Sequence, residues 1–339
     1  MIPQTLAPQQ RGSAAPTVLV SVTAPARLHM GFLDLQGELG RQFGGLGLTL
    51  ADLHTRLSVS VATEVSANGP EGARAQAALT RVLAAWRLKG GVHADIETVV
   101  PPHAGLGSGT QLALAVGMAV TRLHGLKPTA GEVAARTGRG LRSGIGIGAF
   151  EQGGFLVDAG RGEATVVPPV LCRLPFPEQW RALLVLDEER QGLHGVDEHT
   201  AFKDRRPMTA ATSGHLCRLV LMRIIPALME NDFSLFSRGI TEVQEIMGDY
   251  FADSQGGRYA SPQVAEVMQW LRSEGVEGLG QSSWGPTGFA LIDSEARARE
   301  LQDQALSLWK SAPSLRLVIS RAQNKGAEMF AVTAIKLTG

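Results

Sequence analysis

The stretch Val99–Val120, VVPPHAGLGSGTQLALAVGMAV, decides how the rest of the sequence is interpreted. Gly105, Gly107 and Gly109 alternate with other residues and lead directly into an apolar run typical of a helix. Glycine adopts dihedral angles that other residues avoid, and it leaves backbone N–H groups unobstructed. The first N–H groups of a helix have no partner within it, and the helix dipole adds positive charge there. We therefore expect the loop to bind a phosphate or a diphosphate, although the pattern also suits a sharp strand-to-helix turn without a ligand.

Two familiar phosphate loops do not match this stretch. The loop contains no lysine and no GxxxxGK[ST] pattern, so it is not a Walker A motif. Its spacing is GxGxG rather than GxGxxG, and no acidic residue follows at the distance expected for ribose binding. Hydroxyl groups at the start of the helix add further hydrogen-bond donors. The predicted phosphate-binding and diphosphate-binding residues are Gly105, Leu106, Gly107, Ser108, Gly109, Thr110 and Gln111.

Composition is that of a soluble globular protein. The chain has 339 residues, 44% of them hydrophobic and 19% charged, and a chain of this length commonly forms about two domains. Acidic and basic residues are equal in number, so no net field attracts nucleic acid or an anionic membrane. Its two cysteines show no CxxC spacing, which suits a reduced compartment. We expect a cytoplasmic enzyme without a membrane span, and a homodimer is the general expectation for such an enzyme.

Strands and helices alternate without a strict parallel β-α-β rhythm, which favours a fold of class α+β with two domains. Prolines concentrate in residues 166–180, VVPPVLCRLPFPEQW, and indicate a domain boundary. We predict a mobile tail over residues 1–16, an N-terminal domain with the glycine loop over 17–170, and a C-terminal domain over 171–339. The segment Gly153–Val167 is predicted to form paired strands.

Local signals predict several helix ends. Thr129 and Glu132 match a capping box, and Gly138 follows at the position of a C-cap. Ser261 stands where an N-cap is expected, directly before a proline at the first helical position.

Three motifs in chain order resemble the GHMP superfamily of small-molecule kinases. PPHAGLGSGTQ (101–111) resembles the Pro-x-x-x-Gly-Leu-Gly-Ser-Ser motif of that superfamily. APARLHMGFLDL (24–35) is similar to its first motif, and GQSSWGPTGFAL (280–291) is similar to its third. The resemblance implies a two-domain GHMP-type fold, with a ribosomal-S5-like N-terminal domain and a ferredoxin-like C-terminal domain.

One position argues against a kinase. Kinases of the superfamily commonly carry an aspartate in a segment resembling Ser-Gly-x-Asp, close to the substrate hydroxyl. Gly146 stands at that position in RSGIGIGAFEQGG, and a glycine side chain can neither accept a proton nor orient a hydroxyl.

A more particular resemblance covers the chain from about Val20 to its end. ARLHMGFLDL, RQFGGLGLTL, SGIGIGAFEQGGFLVDAG, GLHGVDE and GQSSWGPTGFAL together resemble the β-ribofuranosylaminobenzene 5'-phosphate synthase family. The resemblance implies a pentosyltransferase that couples 5-phosphoribosyl 1-diphosphate to 4-aminobenzoate and releases CO2 and diphosphate, early in methanopterin-type cofactor biosynthesis. It also implies Mg2+ as a cofactor and small molecules, not nucleic acid or membrane, as partners.

This reaction sets what the site must do. Negative charge that develops on the departing diphosphate must be stabilised, which suits the glycine loop. The ring carbon that bears the carboxylate is itself the nucleophile, so no base is needed beforehand. Arg27 and His29 are candidates for binding phosphate or carboxylate, although lone basic residues in a strand are often structural. Asp34 could face a metal or a ribose hydroxyl, or could equally close a turn.

A second candidate loop is QGLHGVDEH, from which we predict His194 and Glu198 as catalytic residues. The spacing of His194 and His199 is not a zinc signature, so Mg2+ through an acidic residue is the better prediction. Trp284 offers a flat face to an aromatic substrate, or belongs to the core. The predicted substrate-binding residues are Ser143, Gly144, Gly192, Gln281, Ser282, Ser283, Trp284, Gly285 and Thr287.

Three alternative functions remain at this level. The first is an ATP-dependent small-molecule kinase on the same fold. The second is a C-nucleoside synthase that uses a heterocyclic carboxylic acid, because the acceptor pocket is not encoded in the phosphate loops. The third is a ligand-binding protein without catalysis.

Overall fold

The computed structural model describes residues 17–192 and 207–334. Within those ranges no helix combines the length and apolarity needed to cross a bilayer. The helices are α1 Gly72–Trp86, α2 Ser108–Leu123, α3 Ala130–Thr137, α4 Ile145–Glu151, α5 Ala210–Leu219, α6 Ile225–Met229, α7 Phe233–Gln255, α8 Pro262–Ser273 and α9 Glu295–Leu308; a π-helical turn, Val220–Ile224, joins α5 to α6.

The strands form a seven-stranded and a four-stranded sheet. They are β1 Thr17–Asp34, β2 Phe43–Ala62, β3 Ser66–Asn68, β4 Gly91–Thr98, β5 Phe155–Asp158, β6 Val170–Leu174, β7 Arg181–Asp187, β8 Leu279–Gln281, β9 Gly288–Ile292, β10 Leu315–Ser320 and β11 Glu328–Ala334.

The larger sheet is built around one long antiparallel pair, β1 and β2, in the order β11-β1-β2-β4-β3. β5 pairs with the first part of β2, and β6 pairs with β5. Alternate residues of β1 are buried from Val20 to Met30, as expected for a strand with one face on a core. The first half of that face packs with α1 and α2, whereas the second half packs with α7. β1 therefore contributes buried side chains to both of these cores.

The smaller sheet has the order β10-β7-β9-β8. Counted along the chain, these are its fourth, first, third and second strands, which is the ferredoxin-like arrangement. α8 and α9 pack against this sheet through a core of aliphatic side chains. The predicted α+β class, with a ferredoxin-like second half, is confirmed.

Several local predictions are confirmed. The Thr129 side chain accepts a hydrogen bond from the Glu132 backbone, and the Glu132 carboxylate accepts one from the Thr129 backbone, so the capping box forms. Gly138 ends the helix in a left-handed conformation. The Ser261 side chain accepts from the backbone of Val264 and caps α8.

The prediction of paired strands within Gly153–Val167 is wrong. Only β5 forms there, and its partners are β2 and β6. The residues between β5 and β6 form bends and turns rather than a second strand, so β5 has no hairpin partner within the predicted segment.

Strand pairing also bears on the predicted division of the chain. β6 and β11 both lie beyond residue 169, yet both pair within the larger sheet. β11, the last described strand, thus pairs with β1, the first. The predicted tail, residues 1–16, lies outside the described residues.

Candidate active site

Strand β1 and the glycine loop are joined by two hydrogen bonds at Arg27. Its backbone N–H donates to the carbonyl of Leu106 at 3.1 Å, and its Nη1 donates to the carbonyl of Gly105 at 2.6 Å. Gly107 comes close to the same side chain, because a Cβ on Gly107 would lie 3.3 Å from Arg27. The predicted cationic residue therefore lies directly against the predicted phosphate loop.

The second glycine-rich turn closes on the same place through Ser282. This buried hydroxyl donates to the carbonyl of Gly105 at 2.8 Å and accepts the backbone N–H of His29 at 3.0 Å. The N–H of Ser283 donates in turn to the carbonyl of His29. Three segments that are far apart in sequence are therefore locked together around the start of α2.

The N-terminus of α2 is surrounded by arginines. A Cβ on Gly109 would lie 3.0 Å from Nη2 of Arg74 and 3.5 Å from Nη1 of Arg139. Burial, with Arg81 and Arg74 nearby, lowers the pKa of Arg139. Unpaired helix N–H groups and clustered guanidinium groups at one point form a site for a strongly charged anion.

A cleft of about 250 Å³ opens in front of this helix start. Arg27, Arg139 and Arg142 line it together with Thr110 and Ser143, and no acidic residue is among its described lining residues. Such a surface favours a ligand with several negative charges.

His29 lies at the inner wall of the cleft and is neutral. It is 4% exposed, and burial, followed by the charges of Arg27 and Arg142, lowers its pKa to about 3. Its Nε2 lies 3.2 Å from Oγ of Ser143, whereas its Nδ1 is buried without a hydrogen-bond partner among the described residues.

Asp158 fixes the direction of the hydrogen bond at His29. Its carboxylate is fully buried and accepts from Oγ of Ser143 at 2.7 Å and from the N–H of Gly144 at 2.9 Å. Because the hydroxyl hydrogen of Ser143 points to Asp158, Nε2 of His29 must be the donor to Ser143, which leaves Nδ1 as an acceptor. Burial raises the pKa of Asp158, while the hydrogen bonds from Ser143 and from the Gly160 backbone oppose that rise.

A second, apolar pocket lies on the other side of His29. Phe32, Met247, Phe251 and Trp284 line it, and it shares His29, Phe32 and Ser283 with the cationic cleft. Trp284 is 6% exposed and packs edge-on against Phe251, with 4.6 Å between ring centroids. The pocket encloses about 40 Å³, less than an aromatic ring fills, so it could hold a ring only after a flexible lining side chain such as Met247 changes rotamer.

Many predicted residues meet at these two cavities, and others serve the surrounding framework. Leu106 is a core residue, and the amide of Gln111 donates to the carbonyl of Gly146. Thr287 is fully buried. Half-buried Ser108 begins α2. Gly192 and Gly285 touch one another, because a Cβ on Gly192 would lie 2.2 Å from the carbonyl of Gly285.

Asp34 lies outside both cavities. Its Oδ1 accepts from the N–H groups of Gln36 and Gly37 and from Oγ of Ser213, so it closes the turn after β1. Neither cavity has Asp34 in its wall. His194 and Glu198 fall outside the described residues, and their roles stay predictions.

The sequence analysis missed several residues of the site. Arg139 and Arg142 stand just before the SGIG segment, and their close spacing beside that motif was a usable signal. Arg74 on α1 and Met247 and Phe251 on α7 gave no such signal, since helical spacing of this kind describes an ordinary core face equally well.

The described residues do not supply a site for a resident metal. No group of three or more His, Cys, Asp or Glu side chains that could hold an ion occurs within 17–192 and 207–334, and the cleft walls there carry arginines instead. Magnesium commonly binds through one or two carboxylates plus substrate phosphates. A requirement for Mg2+ therefore stays a prediction tied to the diphosphate substrate.

The fold and the sequence of the glycine loop define the class of protein. The family model for the GHMP kinases N terminal domain matches residues 73–154, and that for GHMP kinases C terminal matches residues 224–311. The crystal structure of homoserine kinase from Cytophaga hutchinsonii superposes with a TM-score of 0.63 at 17% identity, covering 96% of this chain and all of that one. The chain has the GHMP fold, as the motifs predict.

Within that class, sequence relatives give the particular family. The beta-ribofuranosylphenol 5'-phosphate synthase of Methanothermobacter thermautotrophicus is 30% identical over 91% of this chain and 98% of its own length. The enzyme of the same name from Archaeoglobus fulgidus is 29% identical over 92% of this chain and 99% of its own. The chain belongs to the beta-ribofuranosylphenol 5'-phosphate synthase family.

Proposed function

We propose that this enzyme joins the phosphoribosyl group of 5-phosphoribosyl 1-diphosphate to the ring of a 4-substituted benzoate, releasing CO2 and diphosphate. The family membership supports an enzyme that makes a ribofuranosyl phosphate. The named substrates, the decarboxylation and the pentosyltransferase class are the proposal.

One observation carries the proposal: a cationic cleft and an aromatic-lined pocket share a wall. His29, Phe32 and Ser283 belong to both cavities. A sugar that carries both a phosphate and a diphosphate is strongly anionic and suits the arginine side, and a benzene ring suits the side of Phe251 and Trp284. Bound side by side, the two substrates place a ring carbon against the anomeric carbon, which supplies much of the catalysis.

The chain's own groups suit the departing diphosphate. As the bond from the anomeric carbon to diphosphate breaks, its electron pair leaves with the diphosphate oxygen, where the α2 N–H groups and Arg139 stabilise the charge. The ring carbon that bears the carboxylate supplies the electron pair of the new C–C bond. The carboxylate bond then breaks, its electron pair restores the aromatic ring, and CO2 departs.

The product name of the relatives supports one acceptor over another. A ribofuranosylphenol phosphate arises by this route from 4-hydroxybenzoate, whereas 4-aminobenzoate gives the aminobenzene product that the motifs predict. We favour 4-hydroxybenzoate and retain 4-aminobenzoate as the competing substrate. Mg2+, a homodimer and a place in methanopterin biosynthesis stay predictions of the family resemblance.

Neutral His29 has a defined part in this scheme. Its Nε2 donates to Ser143, which leaves Nδ1 as the acceptor; Nδ1 is buried, so a substrate group at the junction of the two cavities reaches it only if a neighbouring side chain moves. Burial lowers the pKa of His29 to about 3, and the charges of Arg27 and Arg142 add to that effect, because a charged imidazolium there would be desolvated and would stand beside two other cations.

The rival kinase function lacks its usual carboxylate here. Gly146 lines the cleft where kinases carry aspartate, and a Cβ at this position would lie 3.1 Å from Thr110. Asp158 is close in sequence, but it is fully buried behind Ser143 and its carboxylate accepts three hydrogen bonds from within the protein. ATP turnover is therefore expected to be absent.

The proposal is tested by diphosphate release from 5-phosphoribosyl 1-diphosphate with each benzoate, in wild type and in Arg139→Gln. Removing a half-buried guanidinium beside α2 is expected to lower kcat/KM for 5-phosphoribosyl 1-diphosphate by about tenfold to a hundredfold. The matched control is Arg136→Gln, one helical turn earlier, where the guanidinium stacks over Trp86 away from the cleft. Equal loss in both variants, or turnover of ATP alone, would contradict the proposal.

A further inference from the structure

Gln244 presents an unused hydrogen-bond donor to the aromatic-lined pocket. This residue of α7 is 8% exposed and lines the pocket. Its Oε1 accepts the backbone N–H of Gln281 at 2.8 Å, which fixes the orientation of the amide. Nε2 then lies on the side of Gly31, 3.9 Å from where a Cβ of Gly31 would stand. Nε2 has no hydrogen-bond acceptor among residues 17–192 and 207–334.

The neighbouring amides and the guanidinium of the pocket are already committed. Gln281 accepts from the N–H of Ala260 at 2.7 Å and donates to Oε1 of Gln255 at 3.0 Å. Gln255 donates to the carbonyl of Arg258 at 3.1 Å. The guanidinium of Arg258 donates to both oxygens of Asp249 at 2.7 and 2.8 Å.

The proposed reaction fixes which end of the acceptor meets Gln244. The carbon that bears the carboxylate must face the ribose, and the ribose belongs to the cationic cleft. The shared wall of His29, Phe32 and Ser283 is therefore the carboxylate end of the ring. Of the two cavities, Gln244 lines the aromatic pocket alone, which suits contact with a part of the ring away from its carboxylate, such as the substituent opposite to it.

Resting on the proposed function, we infer that Gln244 is the residue that distinguishes the substituent at this position. Its Nε2 donates to the oxygen of 4-hydroxybenzoate. The amino group of 4-aminobenzoate offers N–H groups, and its lone pair is delocalised into the ring, so an amide donor meets no good acceptor there. A buried donor left unpaired by the wrong ligand weakens that ligand strongly.

The discriminating variant is Gln244→Glu, which keeps an oxygen for the N–H of Gln281 and replaces the donor by an acceptor. Calorimetric titration at pH 8, with diphosphate present, gives the dissociation constant of each acid. Wild type is expected to bind 4-hydroxybenzoate about tenfold or more tightly than 4-aminobenzoate. In Gln244→Glu that preference is expected to fall by about tenfold, because both substituents can donate to a carboxylate.

Two further variants make the result interpretable. Gln244→Met removes donor and acceptor together and is expected to bring the two dissociation constants close to each other. Gln76→Glu makes the same chemical change at an exposed position of α1, outside the lining of the pocket, and is expected to leave the preference intact. If CO2 is released by wild type but the preference is unchanged in Gln244→Glu, the inference about Gln244 is overturned while the proposed function stands. If neither acid yields CO2, the proposed function itself fails.

Discussion

Replacing Gly105 by alanine tests whether the two glycine-rich turns act as one unit. Gly105 has φ of +77°, and a Cβ there would lie 2.2 Å from the carbonyl oxygen of Ser282. Real Cβ contacts essentially never fall below 3.0 Å, so the turns must separate by most of an ångström. The carbonyl of Gly105 accepts from both Arg27 and Ser282, and this movement therefore displaces the cation and the loop from each other.

The size of the effect follows from a matched variant, Gly125→Ala. Gly125 has φ of +75° and no atom within 4 Å of its Cβ position, so it carries the left-handed backbone cost alone, about 1–2 kcal/mol. Both variants should lose that stability. Gly105→Ala should in addition lower kcat/KM for 5-phosphoribosyl 1-diphosphate by about a hundredfold, as a misplacement of about 1 Å commonly does. Thermal melts and initial rates of diphosphate release measure the two effects, and equal kinetics in the two variants would refute the reasoning.

Three further predictions concern the buried groups His29 and Asp158 and the half-buried Arg142. His29 is protonated near pH 6.5 in the unfolded chain but only near pH 3 in the folded chain. The free energy of unfolding therefore falls as pH drops below 6.5, by up to about 1.4 kcal/mol per pH unit. Denaturant titrations over this range should show a shallower fall in His29→Gln. Asp158→Asn leaves the donors of Ser143 and Gly144 with one acceptor fewer and should cost about 1–3 kcal/mol of unfolding free energy; an unchanged denaturation midpoint would contradict this. Arg142→Gln should raise KM for 5-phosphoribosyl 1-diphosphate more than KM for the benzoate, as separate saturation curves would show.

Local sequence signals predicted local structure well in this protein. The capping box of Thr129 and Glu132 and the N-cap at Ser261 each depend on a side chain and a backbone group within three residues. The turn at the glycine loop was also indicated by the sequence, because Gly105 and Gly107 both adopt positive φ there. Such features depend only on residues close together in the sequence, so a short segment is enough to predict them.

Distant pairing was harder to predict. β11 pairs with β1 across most of the chain, and β5 takes β2 and β6 as partners where a local hairpin was predicted. The site shares this property: Arg139 reaches Gly109, and Gln244 reaches the pocket beside Gly31, only because the sheets and α7 bring them together. The chemistry of Asp34 was ambiguous in sequence, and the structure places it in a turn.

The most direct test of the proposed reaction is its stoichiometry. Purified enzyme is given 5-phosphoribosyl 1-diphosphate, Mg2+ and either 4-hydroxybenzoate or 4-aminobenzoate labelled in the carboxyl carbon, and labelled CO2 and diphosphate are measured together. The proposal predicts equal amounts of the two products, formed only when both substrates are present. Diphosphate without CO2 would contradict it, because the anomeric carbon would then have been taken by water or by another acceptor.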